Sequence, residues 1–489
     1  MSEQAREPHR PQRGHSIAWV LYNVGCALLL PAFGVYMLWR TLVRNKGLSS
    51  IGERLGAVAE PLEPVQNCPD RVIWVHAVSA GEVAAVAPVV ERIRLAEPMA
   101  HIVISTITDT GREMVGTQRL DPDALIYFPF DLPWVVERVL DVMDPDTIVV
   151  VETELWPNLM EAASRRGIPL VVVNGRVSDR SFGRARLLKP LFHWVLSNVE
   201  LLCAQSQIDA DRFIALGAPP ERVIVTGNSK FDEQFPAVNE ADINKYRRDF
   251  GFARDDTVLL AASTHEGEEE IILDAFTRLR VTHPKLQLII APRHPERGGR
   301  IEKLVHEHGY NAYRRSRALE SGGQDPLAPE GDPQVRVAIL DTMGELARVY
   351  AVASVTFVGN SLVPGGGHNI LQPLAQGKAV LFGPNMQNFR DIAAICLREG
   401  VAFEVSGLDQ LVEVADRLLR SEGDLALMES RGKLLLDRYA GASERNADRV
   451  VQMLTRERPA QAGPAPAASA PAAPTQPDAS AEADGPPEG

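Results

Sequence analysis

The stretch Phe357–Pro373, FVGNSLVPGGGHNILQP, joins an apolar strand to a glycine-rich loop and then to an apolar segment suited to a helix. The strand is Val355–Val358, and three consecutive glycines, Gly365–Gly367, stand directly before His368. Glycines let backbone N–H groups approach an anion closely, and the first turn of a helix adds a partial positive charge. Such a loop is suited to holding a phosphate. A glycine-rich turn without a ligand is the alternative for this stretch taken alone.

Short β-branched runs alternate with longer amphipathic stretches along the whole body of the chain. The strand candidates are Val72–Val75, Ile102–Thr106, Thr147–Val151, Leu170–Val173 and Leu201–Ala204, then Val258–Ala262, Leu286–Ile290, Val337–Leu340, Val355–Val358 and Ala379–Phe382. Near-continuous apolar strands that alternate with helices predict parallel sheets covered on both faces. The two series predict an α/β protein with two Rossmann-like domains, residues 47–235 and 236–456. Their ligands are expected in the cleft at the carboxyl ends of the strands.

Composition excludes several classes of protein. The chain has 489 residues, which is too long for one ordinary domain. Its formal net charge of −13 argues against a nucleic-acid binder, because no basic excess is available to neutralise phosphates. Four scattered cysteines form no CxxC pair, which predicts no structural zinc site and suits a reducing cytoplasm.

The two ends of the chain differ from its body. Residues 17–39 carry no charge and are long enough to cross the roughly 30 Å hydrocarbon layer. Aromatic side chains stand towards both ends of this segment, as they do at membrane interfaces: Trp19, Tyr22, Tyr36 and Trp39. We therefore assign residues 1–46 to an arm and a membrane anchor. A cleaved signal peptide and a helix lying in the interface are the alternatives. Residues 457–489 are rich in proline and alanine and are predicted to be a disordered tail.

Acidic residues follow two strands of the first domain. Glu82 opens a helix after the strand that leads into HAVSAGEV, and a helix N-terminus favours the ionised form of a carboxyl group. There it could take a proton from an acceptor hydroxyl, although an ordinary first-turn acid is the alternative. Glu152 and Glu154 follow Thr147–Val151, and Glu152 is the stronger candidate. A structural contact of Glu152 with Asn174 or Arg176 remains open.

Cationic and glycine-containing turns follow the strands of the second domain. STHEGEEE, PRHPER and DTMGEL each stand after a strand, with Arg293 suited to a phosphate or carboxylate and Gly344 allowing close backbone approach. Lys230, in GNSKFD near the domain junction, could hold an anion or be solvated. The sequence contains no GxxxxGK[ST] loop and no HxxEH or DxD cluster. It therefore predicts neither an ATPase nor a reaction that needs a bound metal ion.

Nine motifs stand in order along the chain: WVHAVSAGEV, YFPFDLP, ETELWPNL, NGRVSDRSF, GNSKFD, STHEGEEE, PRHPER, DTMGEL and FVGNSL…GGGHNILQP. Together they resemble the lipid A Kdo transferases, the 3-deoxy-D-manno-octulosonic acid transferases of lipopolysaccharide assembly. The match runs from about Gly47 to Tyr439. The resemblance implies a fold of GT-B type, with two facing Rossmann-like domains and an N-terminal membrane anchor helix.

The same resemblance implies an activity and its partners. Kdo would pass from CMP-Kdo to a tetraacylated lipid A precursor, lipid IVA, on the cytoplasmic face of the inner membrane. No cofactor and no metal ion are implied, and the other expected partners are inner-membrane lipids, with no nucleic acid.

The resemblance also carries roles onto individual residues. Glu82 matches the general base, which would deprotonate a glucosamine hydroxyl for attack with inversion at the anomeric carbon. Glu152 and Lys230 match residues that support the transition state, and Lys230 could also meet the sugar carboxylate. The segments matching the CMP site are Pro292 and Arg293, then Met343, Gly344 and Glu345, then Asn369, Ile370, Leu371 and Gln372.

One position departs from the family pattern. The family usually has a glutamate where this chain has Gln372, at a place expected to accept hydrogen bonds from the ribose hydroxyls. Losing the charge of that acceptor should weaken nucleotide binding by on the order of 1 kcal/mol. Two alternatives therefore remain: a GT-B enzyme acting on another nucleotide sugar, and a membrane-tethered binding protein with a weakened nucleotide site.

Overall fold

The computed structural model describes residues 17–29, 48–66, 70–322 and 336–454. Residues 17–29 are helical (α1) and form the first part of the predicted membrane anchor. The rest of that anchor, the arm before it and the predicted tail lie outside the described residues. Within the described ranges, no helix is both long enough and apolar enough to cross a bilayer. The anchor therefore stays a prediction.

The described residues form two sheets of seven strands each. The strands of the first sheet are β1 (Val72–His76), β2 (His101–Thr106), β3 (Ala124–Tyr127), β4 (Thr147–Val151), β5 (Leu170–Gly175), β6 (Leu201–Ala204) and β7 (Val223–Val225). Those of the second sheet are β8 (Thr257–Thr264), β9 (Leu286–Pro292), β10 (Asn311–Arg314), β11 (Arg336–Ile339), β12 (Val355–Val358), β13 (Ala379–Phe382) and β14 (Ala402–Glu404).

Every pair of neighbouring strands is parallel. The strand orders are β3-β2-β1-β4-β5-β6-β7 and β10-β11-β9-β8-β12-β13-β14. All the predicted strands are present, and the α/β class is confirmed. The strands β3, β7, β10 and β14 were not predicted, and each of them is the edge of its sheet. An edge strand has a neighbour on one side only, and these four are short and partly exposed, so they lack a continuous apolar run.

Helices cover both faces of each sheet. Those before and around the first sheet are α2 (Leu48–Arg54), α3 (Ala80–Ala96), α4 (Asp109–Thr117), α5 (Pro133–Met143), α6 (Pro157–Arg166), α7 (Asp179–Leu187), α8 (Lys189–Ser197) and α9 (Gln207–Leu216). The helices that follow are α10 (Glu240–Phe250), α11 (Glu268–Thr282), α12 (Gly298–Glu307), α13 (Arg315–Glu320), α14 (Leu346–Val349), α15 (Leu371–Ala375), α16 (Arg390–Arg398), α17 (Leu408–Arg420), α18 (Glu422–Tyr439) and α19 (Ala442–Leu454).

The last helix, α19, returns from the second sheet to the first. Although the predicted boundary groups it with the second domain, its apolar side chains lie in a core of the first sheet: Ala447, Val450, Met453 and Leu454. The chain therefore passes between the sheets twice, and the two passages are joined. The carboxylate of Asp232, on the first passage, accepts hydrogen bonds from the N–H groups of Gly441 (2.6 Å) and Ser443 (2.5 Å) on the second.

The helix α1 is attached to the first domain by polar contacts. The Tyr22 hydroxyl donates to Asp131 (3.0 Å), and Nδ2 of Asn23 donates to Oδ1 of Asn158 (2.9 Å). Trp19 packs, partly buried, against the core of the same domain. The other face of α1 is apolar and exposed, at Ile17, Leu21, Leu28 and Leu29.

Candidate active site

Glu82 lies in the first turn of α3, directly beyond the carboxyl end of β1. Its two carboxylate oxygens accept hydrogen bonds from the N–H of Val78 (2.8 Å) and the hydroxyl of Ser79 (3.0 Å), so the preceding turn fixes its orientation. Burial, together with the nearby carboxylates of Glu152 and Glu154, raises the pKa of Glu82 to about 7. We predicted that the helix N-terminus would favour the ionised form. In the structure, burial and like charge act in the opposite direction and give a net rise in pKa.

Glu152 follows the end of β4 in a left-handed backbone conformation, with φ of 57°. Such a conformation costs a non-glycine residue about 1–3 kcal/mol, and it persists where surrounding contacts over-determine it. Here the contacts are two cations: Arg176 Nε lies 3.2 Å from one carboxylate oxygen and Lys230 Nζ lies 3.4 Å from the other. The structure thus brings together two of the predicted site residues. It also contains the contact of Glu152 with Arg176 that the sequence left open.

Lys230 is not a solvated lysine. Its side chain is only 14% exposed, and its Nζ lies 5.1 Å from the centre of the Phe389 ring, which belongs to the second domain. The backbone turn that carries Lys230 is held by Asn174, whose Oδ1 accepts a hydrogen bond from the N–H of Ser229 (3.0 Å). This cation is therefore fixed between Glu152 on one side and an aromatic face on the other.

Contacts across the cleft continue from Glu152 to the glycine-rich loop. Arg176, which pairs with Glu152, also donates from Nη1 to the carbonyl oxygen of Asn388 (3.2 Å) in the second domain. The N–H of Asn388 in turn donates to the carbonyl oxygen of Gly366 (2.9 Å). A short series of contacts thus connects the acidic site of one domain with the predicted phosphate loop of the other.

The glycines of that loop are required by their protein neighbours. A Cβ on Gly366, whose φ is 96°, would lie 2.4 Å from Nδ2 of Asn388. The N–H groups at the start of the loop already donate to the carboxylate of Glu268, which accepts from Asn360 (2.7 Å) and Ser361 (3.0 Å). Sequence reasoning explained the glycines by an approaching anion. In the structure, close packing already accounts for them, and phosphate binding stays a prediction.

Substituting Gly366 by alanine is expected to lower the free energy of unfolding by about 1–3 kcal/mol, chiefly because alanine is strained at a φ of 96°. The side-chain amide of Asn388 would also have to move away from the new Cβ. Denaturant unfolding measures this change. Gly116→Ala is the matched control, because Gly116 lies in α4 and a Cβ there meets nothing within 4 Å. The control should be neutral or slightly stabilising. An equal loss of unfolding free energy in both variants would contradict this explanation of why residue 366 is a glycine.

A pair of histidines stands at the carboxyl ends of β8 and β12. Nε2 of His265 and Nε2 of His368 are 3.3 Å apart, and the two rings are stacked. Burial, together with the charge of Arg293, lowers the pKa of His368 to about 4. Arg293 itself is exposed. Sequence reasoning did not select these histidines, although both stand in the quoted motifs STHEGEEE and GGGHN.

The three-residue segment Met343–Glu345 is only partly available to a ligand. Met343 is 74% exposed, and Gly344 has a φ of 84° with open space around it. The carboxylate of Glu345, however, is held by the guanidinium of Arg315 (2.9 Å). Burial acts in the opposite direction, but the hydrogen bonds from Arg315 and Thr342 lower the pKa of Glu345. Its side chain is therefore a structural anchor, which leaves the exposed Met343 and the backbone to meet a nucleotide.

Residues 369–372 present both core side chains and polar groups. Ile370 and Leu371 are fully buried, main chain included, so neither is exposed to a ligand in this structure. Asn369 and Gln372 both donate to Glu233, at 2.6 and 3.2 Å. Sequence reasoning missed Glu233, because its partners are remote in the chain and no local pattern marks it. Of the remaining predicted residues, Pro292 is buried at the end of β9.

Comparisons with known proteins agree with the motifs. Residues 49–233 match the family described as 3-Deoxy-D-manno-octulosonic-acid transferase (kdotransferase). The chain is 36% identical over 390 residues to the 3-deoxy-D-manno-octulosonic acid transferase of Haemophilus influenzae, covering 77% of this chain and 88% of that protein. It is 30% identical over 387 residues to the transferase of the same name from Bordetella pertussis, covering 77% and 86%.

Solved structures with low sequence identity share the fold. A glycosyltransferase from Rickettsia africae has a TM-score of 0.53 at 10% identity, covering 79% of this chain and 98% of that chain. Anabaena Alr3699/HepE in complex with UDP has a TM-score of 0.53 at 14% identity, covering 78% and 99%. With the two parallel sheets, these likenesses confirm the predicted fold of GT-B type.

Proposed function

The chain belongs to the family of 3-deoxy-D-manno-octulosonic acid (Kdo) transferases, glycosyltransferases of lipopolysaccharide synthesis, and we propose that it moves Kdo from CMP-Kdo to lipid IVA. The observation that carries this proposal is Glu82, a partly buried carboxyl group with a pKa of about 7 at the carboxyl end of β1. A group with that pKa is ionised often enough at neutral pH to act as a base and is basic enough to hold the proton it takes.

In the proposed reaction Glu82 removes the proton from a glucosamine hydroxyl of the acceptor. The hydroxyl oxygen forms a bond to the anomeric carbon of Kdo, and the bond from that carbon to the phosphate oxygen of CMP breaks from the opposite side. CMP leaves with the bonding electrons, the proton stays on Glu82, and the configuration at the anomeric carbon is inverted. The hydrogen bonds from Val78 and Ser79 keep the carboxylate oriented towards the acceptor.

Lys230 supplies positive charge for this step. It is held by Glu152 and by the face of Phe389, so little reorganisation is needed when negative charge develops on the phosphate or when the Kdo carboxylate binds. Glu152 is a positioning residue in this scheme, because Arg176 and Lys230 occupy both of its oxygens.

The donor half of the site is proposed to lie at the ends of β8, β9 and β12. Arg293 and the histidine pair His265–His368 face this region, as does the loop before Asn369. A leaving CMP gathers negative charge, which a guanidinium, imidazole donors and backbone N–H groups can stabilise.

The two alternative functions are less well supported. The similar structure that contains UDP has low sequence identity to this chain. It therefore supports the fold and does not identify the nucleotide of the donor. A binding protein with a degenerate site would not need Glu82, Glu152 and Lys230 at the carboxyl ends of the strands, and all three are in place with their partners.

We further propose that the enzyme works at the cytoplasmic face of the inner membrane. Support comes from the exposed apolar face of α1. It also comes from the corner between α7 and α8, where Leu187 and Leu188 are 84% and 55% exposed. A lipid acceptor held at such a surface would be close to the first domain.

The experiment that tests the donor and the need for an acceptor is CMP release from CMP-Kdo, measured with and without lipid IVA. We expect release that depends on the acceptor, and no UDP release when UDP-N-acetylglucosamine replaces CMP-Kdo. Acceptor-dependent release of UDP would favour the alternative nucleotide-sugar enzyme.

The pH dependence of the reaction should reflect Glu82. The base must be ionised, and its pKa of about 7 lies above the ordinary value of 4.5 because the side chain is buried beside other carboxylates. We therefore expect kcat/KM to fall roughly tenfold per pH unit below about 7 and to level off above it. Initial rates between pH 5.5 and 8.5 measure this. A profile that stays flat through pH 6 would contradict the assignment of the base.

A further inference from the structure

Glu233 reaches from the first passage between the sheets into the proposed nucleotide site. It follows the short helical turn Ser229–Asp232, and its two carboxylate oxygens accept one hydrogen bond each. Nδ2 of Asn369 donates to Oε2 (2.6 Å), and Nε2 of Gln372 donates to Oε1 (3.2 Å). A carboxylate of the connecting segment therefore lies against two residues of the segment that matches the CMP site.

The direction of the hydrogen bond from Asn369 is fixed by a further one. Oδ1 of Asn369 accepts from the N–H of Leu371 (2.9 Å), so the amide nitrogen of Asn369 must face Glu233. An ionised carboxylate has roughly four acceptor positions, and the two amides use only two of them. Within the part of the chain that the structure describes, no other side chain donates a hydrogen bond to this carboxyl group.

The groups around Glu233 determine its charge. Burial raises the pKa of Glu233, whereas the amides of Gln372 and Asn369 and the cation of Lys230 lower it. The Tyr350 hydroxyl is also near Glu233, and its pKa is raised mainly by burial and also by Glu233. Burial has the largest effect, so the pKa of Glu233 is raised overall. The two amide donors and the lysine act against that rise, and the amides fix the orientation of the carboxyl oxygens.

Gln372 fits this arrangement and a glutamate there would not. A carboxylate at residue 372 would stand about where Nε2 now lies, 3.2 Å from Oε1 of Glu233, and two like charges at that distance repel. The amide instead donates to Glu233. Residue 372 thus lacks a negative charge, and Glu233 places a carboxyl group 3.2 Å away in the same contact.

We propose that Glu233 supplies the carboxylate that accepts hydrogen bonds from the ribose hydroxyls of the donor nucleotide, in place of the glutamate that the family usually has at residue 372. The inference rests on the proposed function in one respect, namely that the nucleotide is CMP. It explains how a chain with Gln372 retains a charged acceptor for the sugar of the nucleotide.

The test compares CMP with 2′-deoxy-CMP and 3′-deoxy-CMP by calorimetric titration of the full chain in detergent. Wild type should bind CMP on the order of tenfold more tightly than at least one deoxy form, as expected for a charge-assisted hydrogen bond. In Glu233→Gln, the affinity for CMP should fall by a similar factor, and the ratio of the affinities for CMP and the deoxy forms should approach 1. Gln372→Glu alone should also lower the affinity for CMP. The double variant Glu233→Gln with Gln372→Glu should regain both affinity and preference.

Gln376→Ala is the matched control for a weakened contact between the connecting segment and the second domain. Gln376 lies beside the same connecting segment and donates from Nε2 to the carbonyl oxygen of Pro236 (2.8 Å), but it contributes no carboxylate. This variant should keep the preference for CMP over its deoxy forms.

The inference is overturned if Glu233→Gln weakens CMP and both deoxy forms by the same factor, since Glu233 would then only position Asn369 and Gln372. It is equally overturned if the double variant behaves as the sum of the two single ones. If wild type binds no CMP at all, the proposed function falls as well. If wild type transfers Kdo but binds CMP no more tightly than its deoxy forms, only the role of Glu233 is contradicted.

Discussion

Glu82→Gln is expected to lower the turnover of Kdo transfer by at least ~10²-fold, the usual effect of losing a general base. Glutamine has nearly the same shape: its single amide oxygen can still accept the hydrogen bond from Val78, and its amide nitrogen can donate to the Ser79 hydroxyl, but it cannot take a proton at neutral pH. Steady-state rates with lipid IVA and CMP-Kdo measure the loss. Calorimetric titration should show unchanged affinity for CMP.

The stability of the Glu82→Gln variant separates lost chemistry from lost structure. The folded-state pKa of Glu82 is about 7, above its ordinary value of 4.5, so ionisation of Glu82 weakens the folded state as the pH rises between those values. Glutamine does not ionise. At pH 8 the variant should therefore unfold at the same temperature as wild type or at a higher one.

Ser79→Ala is the matched control for the geometry of Glu82. It removes one hydrogen bond to the carboxylate and leaves the charge in place. We expect a loss smaller than tenfold and a limb of the pH profile that moves to higher pH, because the ionised form loses a donor. Near-normal turnover in Glu82→Gln would mean that another group is the base.

Lys230→Met is expected to lower turnover by ~10²–10³-fold, a magnitude typical of removing one preorganised charge or donor from a transition state. Methionine keeps much of the length of the side chain and can still pack on Phe389. It removes the cation that lies 3.4 Å from Glu152. Lys230→Arg, which keeps the charge with a different shape, should retain more activity than the methionine variant.

A double variant distinguishes the two ways in which Lys230 could matter. In Lys230→Met the carboxylate of Glu152 loses one of its two cations, and this unpaired charge could itself disturb the site. Adding Glu152→Gln removes that charge. If Lys230 acts on the substrate, the double variant stays as inactive as Lys230→Met. Recovery of turnover in the double variant would assign Lys230 a structural role only. Lys189→Met, at an exposed lysine of α8, should leave turnover unchanged.

The inner strands of both sheets were predictable because burial on both faces demands continuous apolar runs, such as TIVVV in β4. The edge strands were not, because β7 and β14 are partly exposed and only three residues long. The return of α19 to the first sheet also has no local signal. It depends on contacts such as that of Asp232 with Gly441, far apart in the sequence.

Residues of the candidate site could be predicted where a functional side chain follows the end of a strand. Position after a strand made Glu82, Glu152 and Lys230 candidates, and the resemblance to the Kdo transferases assigned them their roles; the last two are in contact. The raised pKa of Glu82 was harder to predict from the sequence, because it depends on burial and on carboxylates that follow another strand. The contact of Glu233 with Gln372 could not be predicted, since it joins a connecting segment to a helix of the second domain.

Transfer of Kdo to a lipid A precursor is the reaction that we propose for this chain. The most direct measurement is the mass of the lipid after incubation of the detergent-solubilised protein with lipid IVA and CMP-Kdo generated in situ. Wild type is expected to yield a product heavier than lipid IVA by one or more Kdo residues, and Glu82→Gln strongly reduced product. Lipid IVA that remains unchanged, under conditions in which the Haemophilus influenzae relative produces the heavier lipid, would contradict this proposal.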